Sequence, residues 1–182
     1  ILLLQETQRK ICHFTHKIIG CVLAHDHNDH SYHNWYIFDR NKIMMTDNID
    51  TQRILEMIHA LLPVSKEAGD AILEIYDSPD FGIEQKNDDS PLTKADLASN
   101  RVICDALQRI APDIPIISEE NDNIPFSVRE SWSYCWIVDP LDGTKEFIKR
   151  NGEFTTNIGL VKDHKVIAGV VYLPVLDVLY YA

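Results

Sequence analysis

The sequence predicts an α+β protein in which helices pack on a mostly antiparallel sheet in layers. Two long stretches with apolar residues at helical spacing occupy residues 51–76 and 94–110. The β-rich runs all come later, between residues 114 and 182. No internal repeat and no low-complexity linker interrupts this order, which favours a single layered domain over an array of repeats.

The two predicted helices have recognisable boundaries. Asp50 precedes the first helix, and Pro63 lies inside it, which indicates either a kink or an early end of that helix. Thr93 is a favourable N-cap residue for the second helix, and Pro112 follows its end. Residues 77–89 between the helices are polar and are predicted to form a loop.

Five β-rich runs predict the strands. The third and fourth are separated by only four polar or charged residues, which predicts a hairpin between them. The first two runs each lead directly into acidic residues. The runs are residues 114–118, 134–138, 154–161, 166–173 and 178–182.

Charge divides the chain into two parts. The 182 residues carry a formal net charge of −11, and this acidic balance argues against a general nucleic-acid binder. Residues 1–49 are neutral overall and hold six of the eight histidines, whereas residues 50–182 carry the entire excess of acid. We therefore separate a His-rich extension of unknown role, residues 1–49, from a folded region, residues 50–182. A metal-binding tract, a poorly ordered segment and sequence upstream of the true start are the alternatives for the extension.

The cysteines and the apolar runs indicate the cellular compartment. The four cysteines form no CxxC pair, which favours free thiols in a reducing cytoplasm. The longest apolar run near the start, residues 18–24, is too short to span a bilayer, and no secretory signal is evident. We therefore expect a cytoplasmic protein without a transmembrane segment.

The strongest chemical signal lies at the end of the second β-rich run. An apolar strand leads into Asp139, Pro140 limits further ladder pairing, and Asp142 follows three residues later. Two carboxylates aimed at one point need a cation, and hard oxygen ligands suit magnesium. Gly143 allows close backbone approach, and Thr144 stands where a helix could begin and its N–H groups could hold a phosphate. The structural alternative is a simple turn with an N-cap.

Three further acidic residues bear on the metal interpretation. Glu119 and Glu120 follow another apolar strand at the same kind of position, although a solvated acidic loop is the alternative. Asp96 stands three residues after Thr93, in the spacing of a capping box. Asp96 can serve as that cap, as a carboxylate that helps to deprotonate water, or as both.

These motifs resemble those of the inositol monophosphatase superfamily of magnesium-dependent, lithium-sensitive phosphatases. The run Asp-Pro-Leu-Asp-Gly-Thr at residues 139–144 is preceded by Ser-Glu-Glu at 118–120 and by Ser-Pro-Leu-Thr-Lys-Ala-Asp at 90–96. Residues 139–154 are especially similar to the bacterial 3'(2'),5'-bisphosphate nucleotidases of that superfamily. The resemblance runs from about residue 55 to the last residue and implies the superfamily's layered sandwich fold.

The resemblance also implies a metal site. Glu119, Asp139 and the backbone carbonyl of Leu141 match the ligands of one Mg²⁺ ion. Asp139 and Asp142 match the ligands of a second. Mg²⁺ is therefore the expected cofactor.

Catalytic and substrate-binding residues follow from the same resemblance. Asp96 and Thr144 match the pair that orients or activates the attacking water. Gly143 and Thr144 match a phosphate cradle, and residues 141–144 together with Glu119 line the substrate. The implied substrate is a small molecule, 3'-phosphoadenosine 5'-phosphate or a related bisphosphate, and the implied products are AMP and phosphate.

Several basic residues are candidates for a second phosphate. Lys145, Lys149 and Arg150 could reach it, with a solvated loop as the alternative for at least one of them. Lys86 falls at a family position near the site. The resemblance leaves open a peripheral association with the inner face of the inner membrane.

Members of the superfamily continue well past the position that matches Ala182. The additional part holds a Trp-Asp motif that completes the second metal site, and no Trp-Asp pair follows Asp139 here. We therefore expect the chain to correspond to the N-terminal half of the fold, with weak or no activity by itself. An inositol or sugar phosphate phosphatase and a non-catalytic fragment are the alternative functions.

Overall fold

The computed structural model describes residues 49–85, 91–121 and 124–182. The His-rich extension lies outside the described residues except for Ile49, which is buried and donates its backbone N–H to the Tyr134 hydroxyl at 3.1 Å. The elements, in chain order, are α1 (Thr51–Tyr76), β1 (Glu84–Gln85), β2 (Pro91–Leu92), α2 (Lys94–Ile110), β3 (Ile116–Ser118), α3 (Phe126–Arg129), β4 (Tyr134–Asp142), α4 (Thr144–Ile148), β5 (Thr155–Lys162), β6 (Lys165–Leu173), a 3₁₀ turn (Pro174–Leu176) and β7 (Val178–Tyr181).

Helix α1 begins and ends where the sequence predicts. The Asp50 carboxylate caps it by accepting the Arg53 backbone N–H at 2.7 Å. The helix continues through Pro63, so an early boundary at this proline is wrong. Leu61 and Ala68 on either side of the proline are fully buried, and this packing keeps the two halves of the helix together. None of the described helices has the length and apolar composition to cross a bilayer.

The five-stranded sheet has the order β3-β4-β5-β6-β7. Only β3 and β4 are parallel, and every other neighbouring pair is antiparallel, as expected. Asp163 and His164 form the predicted tight hairpin between β5 and β6, both with positive φ angles, as in a type I′ turn.

Three elements differ from the sequence expectation. Strand β4 extends to Asp142 instead of ending near Val138, although its ladder is irregular at Pro140. The predicted loop over residues 77–89 contains β1, which pairs with β2 in a separate small sheet. Helix α3 was not predicted because a four-residue helix shows no apolar periodicity.

The main core lies between α1, α2 and one face of the sheet. Alternate residues of β4 and β5 point toward the helices, among them Trp136, Val138, Ile158 and Leu160, all of which are completely buried. The predicted layered α+β fold is therefore confirmed, with the two long helices forming one layer and the sheet the other.

A second, aromatic cluster fixes the segment after β4. Phe147 of α4 lies at the centre of this cluster and is completely buried. Its ring centroid is 5.1–5.3 Å from those of Tyr76, Phe81 and Phe154, in tilted and edge-on arrangements that aromatic pairs favour. The cluster therefore attaches α4 to the end of α1.

Truncation of Phe147 should destabilise the fold strongly. Phe147→Ala removes a buried ring, and we expect the free energy of unfolding to fall by about 3–5 kcal/mol. Leu97→Ala is the matched control, because Leu97 of α2 is 48% exposed; we expect it to cost less than about 1 kcal/mol. Equilibrium urea denaturation measures both. Equal losses in the two variants would contradict the central position of Phe147 in this cluster.

Candidate active site

Asp96 and Thr144 come together although 48 residues separate them in the chain. Asp96 lies in the first turn of α2, and Thr144 is the first residue of α4. The Thr144 hydroxyl is 3.2 Å from Asp96 Oδ1 and 3.3 Å from the backbone carbonyl oxygen of Leu141. The hydroxyl has only one proton, so it can donate to one of these two acceptors at a time.

The two oxygens of Asp96 have different partners. Oδ2 accepts the Thr93 backbone N–H at 2.8 Å and the Thr93 hydroxyl at 2.6 Å, which completes the capping box. Oδ1 faces Thr144. Asp96 is only 1% exposed, and its carboxylate is oriented by the helix start. A capping role therefore leaves the other oxygen directed at the site, so the two roles expected from the sequence are compatible.

Parallel pairing aligns two acidic strand ends. Ser118 of β3 is opposite Val138 of β4, and the Glu119 backbone N–H donates to the Val138 carbonyl oxygen at 3.2 Å. Glu119 therefore follows β3 next to the position where Asp139 stands in β4. Asp139 itself is 1% exposed.

An irregularity in β4 determines where Asp142 points. Asp139 is opposite Asn157, and Asp142 is opposite Thr155, so three steps along β4 match two steps along β5. In a regular strand, residues three apart point to opposite faces of the sheet. The extra residue places Asp142 on the same face as Asp139 and Asn157, as in a β-bulge.

Asn157 is a site residue that the sequence analysis missed. Its amide Nδ2 donates to Asp142 Oδ2 at 3.3 Å, and the side chain is 1% exposed. Its Oδ1 is buried and has no hydrogen-bond partner in the described part of the chain, which costs about 1–3 kcal/mol for a desolvated group. Three consecutive polar residues, 155–157, at the start of an otherwise apolar strand were the available signal.

A second missed group supports the Glu119 turn. The Ser118 hydroxyl donates to Asn100 Oδ1 at 2.5 Å, and Asn100 Nδ2 donates to Asn121 Oδ1 at 2.7 Å. Nearby, the Ser99 hydroxyl donates to the Pro140 carbonyl oxygen at 2.7 Å. Polar residues on the inner side of α2 were the signal for this network, which attaches α2 to both acidic strand ends.

Cys104 belongs to the same network. Burial raises the pKa of its thiol to about 11, with a smaller opposing effect from the hydrogen bond with Asn121. The thiol therefore stays protonated near neutral pH and donates to Asn100 Oδ1 at 3.2 Å. Cys104 acts here as a hydrogen-bonding core residue, because a nucleophile would need the thiolate form.

Gly143 sits where no other residue fits without strain. Its φ angle is +101°, and a Cβ atom there would lie 2.9 Å from the Glu153 carbonyl oxygen. Glycine therefore lets the chain turn sharply from β4 into α4, and this turn brings Thr144 to Asp96.

The candidate second-phosphate residues differ in their contacts. Arg150 stacks on the Phe81 ring at 4.6 Å and donates to the Ser78 carbonyl oxygen at 2.6 Å. Lys149 is 3.9 Å from Glu146, within the same helical turn. Arg150 is therefore held by contacts within the fold. Lys86 lies outside the described residues, and Lys145 is exposed.

The oxygens at this edge of the sheet agree in kind with a magnesium site. Asp139 and Asp142 offer carboxylates on one face, Leu141 offers a carbonyl, and the unpartnered Asn157 Oδ1 offers an acceptor for a water molecule. Within residues 49–85, 91–121 and 124–182, no group of three or more His, Cys, Asp or Glu side chains is arranged to hold a metal ion. The assignment of Glu119, Asp139, Leu141 and Asp142 as ligands therefore stays a prediction.

Known proteins are similar to this chain in sequence and in fold. The model of the inositol monophosphatase family matches residues 54–182. The 3'(2'),5'-bisphosphate nucleotidase CysQ of Salmonella typhimurium is 51% identical over 127 residues, which are 69% of this chain and 51% of that protein. CysQ of Escherichia coli K12 is 50% identical over the same coverage. The chain spans about half the length of the curated relatives it matches.

Solved structures agree with the sequence matches. The crystal structure of CysQ from Bacteroides thetaiotaomicron is 45% identical, with a TM-score of 0.56, and the match covers 70% of this chain and 45% of that one. The Thermotoga maritima IMPase is 26% identical with a TM-score of 0.59, covering 72% of this chain and 48% of that one. Since the family model matches well over half of the chain, this chain belongs to the inositol monophosphatase family.

Proposed function

We propose that the protein is a magnesium-dependent phosphatase that removes the 3'-phosphate of 3'-phosphoadenosine 5'-phosphate. The observation that carries this proposal is the Thr144 hydroxyl held between Asp96 Oδ1 and the Leu141 carbonyl oxygen. About 50% identity to proteins named 3'(2'),5'-bisphosphate nucleotidase supports the substrate class. The products are AMP and inorganic phosphate.

The metal ligands proposed for this chain are Glu119, Asp139 and the Leu141 carbonyl for one ion, and Asp139 with Asp142 for a second. When bound, magnesium lowers the pKa of water and offsets the charge of the phosphate group. The bulge in β4 supports this assignment, because it directs Asp139 and Asp142 to one face. Asp139 is 1% exposed, and a bound cation would offset part of the cost of burying its charge.

The proposed role of Asp96 and Thr144 is to orient and activate the attacking water. Thr144 donates its proton toward Asp96 Oδ1, and its oxygen lone pairs then accept a proton from the water. The water oxygen forms a new bond to phosphorus while the bond from phosphorus to the 3'-oxygen breaks. The proton that the water loses passes by way of Thr144 toward Asp96, and the 3'-oxygen takes up a proton from solvent to become the 3'-hydroxyl of AMP. The capping box keeps Asp96 in place during this transfer.

The proposed phosphate cradle is the turn between β4 and α4. Because Gly143 has no side chain, the backbone there can lie close to the Glu153 carbonyl oxygen, and Thr144 begins α4. Residues 141–144 and Glu119 line the substrate in this proposal.

The proposal also includes the cellular setting. The protein would act in the cytoplasm on a small molecule and would be sensitive to lithium. Any association with the inner membrane would be peripheral.

A phosphatase of inositol or sugar monophosphates is the second candidate. The similarity in fold to the Thermotoga maritima IMPase, with a TM-score of 0.59, supports this candidate. A non-catalytic role is the third candidate. Magnesium-dependent phosphate release by the wild-type protein, lost in the variants below, would exclude it.

Substrate preference separates the first two candidates. The full-length protein should release phosphate from 3'-phosphoadenosine 5'-phosphate with a higher kcat/KM than from inositol 1-phosphate, and only when Mg²⁺ is present. A phosphate-release assay with both substrates measures this. Faster turnover of inositol 1-phosphate would defeat the nucleotidase proposal.

Thr144→Val tests the observation that carries the proposal. The variant keeps the shape of the side chain but loses the hydroxyl, so we expect kcat to fall by about 100-fold or more. Thr144→Ser restores the hydroxyl and should stay within about tenfold of the wild-type rate. Equal rates in the Val and Ser variants would show that the hydroxyl takes no part.

Asp142→Asn tests the second metal site. We expect activity to fall by at least about 100-fold, since even indirect partners of metal ligands are worth 10- to 100-fold. The matched control is Asp163→Asn, the same change in the exposed β5–β6 hairpin, where Asn tolerates the positive φ angle. If the rate and the magnesium dependence of Asp142→Asn are unchanged, the assignment of Asp142 as a metal ligand is wrong.

A further inference from the structure

The buried amide of Asn157 is oriented by its partner. A carboxylate oxygen only accepts hydrogen bonds, so the atom that faces Asp142 Oδ2 at 3.3 Å must be Nδ2. The oxygen of the amide then points away from Asp142. It is buried, and no donor in the described part of the chain reaches it.

Such an oxygen needs an explanation. Buried polar atoms in folded proteins almost always have a partner, and those that lack one often face a water molecule or an ion. Asn157 lies directly opposite Asp139 in the antiparallel ladder and donates to Asp142. It therefore stands between the two carboxylates that the bulge directs to one face of the sheet.

We propose that Asn157 is a positioning residue for the divalent cation at Asp139 and Asp142. Its Nδ2 holds the Asp142 carboxylate, and its Oδ1 accepts a hydrogen bond from a water molecule that the cation retains. Mg²⁺ usually keeps several of its waters in protein sites, and the partners of such ligands orient them. The inference rests on the proposed function, because it presumes that a cation binds these carboxylates.

The strand supplies a matched control. Thr156 is the next residue, is equally buried and also has a side-chain oxygen without a partner in the described residues. It points to the opposite, helix-facing side of the sheet, because side chains alternate along a strand. Thr156→Val removes that hydroxyl without changing the shape of the side chain or touching the acidic face.

The experiment titrates Mn²⁺, a spectroscopic substitute for Mg²⁺, into the full-length protein and follows binding by electron paramagnetic resonance. Asn157→Leu has nearly the same size but neither donates nor accepts. We expect its Mn²⁺ affinity to fall by about tenfold. The Mg²⁺ concentration for half-maximal activity should rise to the same extent, with little change in the KM for substrate. Thr156→Val should match the wild type in both measurements.

The outcomes are distinct. Mn²⁺ affinity of Asn157→Leu within about twofold of the wild type would overturn the inference, and so would an equal loss in Thr156→Val. If Asn157→Leu does not fold, as judged by its thermal unfolding, Asn157→Ala is measured with the same criteria. Failure of the wild-type protein itself to bind Mn²⁺ would instead overturn the proposed function, so the two failures are separable.

Discussion

The candidate site depends on one extra residue in β4. Regular pairing would direct Asp139 and Asp142 to opposite faces of the sheet, because they are three residues apart. Pro140 cannot donate to the ladder, and the strand bulges there, so both carboxylates share the face that carries Asn157. Without this irregularity the Asp-Pro-Leu-Asp sequence would place its second carboxylate in the helix-facing layer.

The turn that follows depends on packing at a distance. Phe147 lies in an aromatic cluster with Tyr76 of α1 and with Phe154, which directly precedes β5, and this contact fixes the short helix α4. Gly143 provides the left-handed backbone conformation that the approach to Glu153 and Phe154 requires. As a result Thr144 reaches Asp96, whose own position is set by the capping box of α2. The capping box of α2 and the aromatic cluster around Phe147 together therefore set the distance between the Thr144 hydroxyl and Asp96 Oδ1.

Buried polar groups are concentrated at this edge of the sheet. Asp96, Asp139, Asn157 and the network of Ser118 with Asn100 are all nearly inaccessible to solvent. An apolar edge would be more stable, because desolvated polar groups are costly unless they find partners. Conflicts between stability and local chemistry are typical of functional sites.

The two long helices, the hairpin between β5 and β6 and the acidic motifs can be predicted from the sequence, because apolar periodicity, capping residues and turn residues act over a few neighbouring positions. It also indicated the family through three motifs in order. It did not reveal that β4 runs on to Asp142, that Arg150 packs on Phe81, or that Asn157 and Asn100 support the acidic strand ends. Those features arise from strand register and from contacts between residues far apart in the chain. They become visible in the folded chain alone, because they depend on which faces the packed layers bring together.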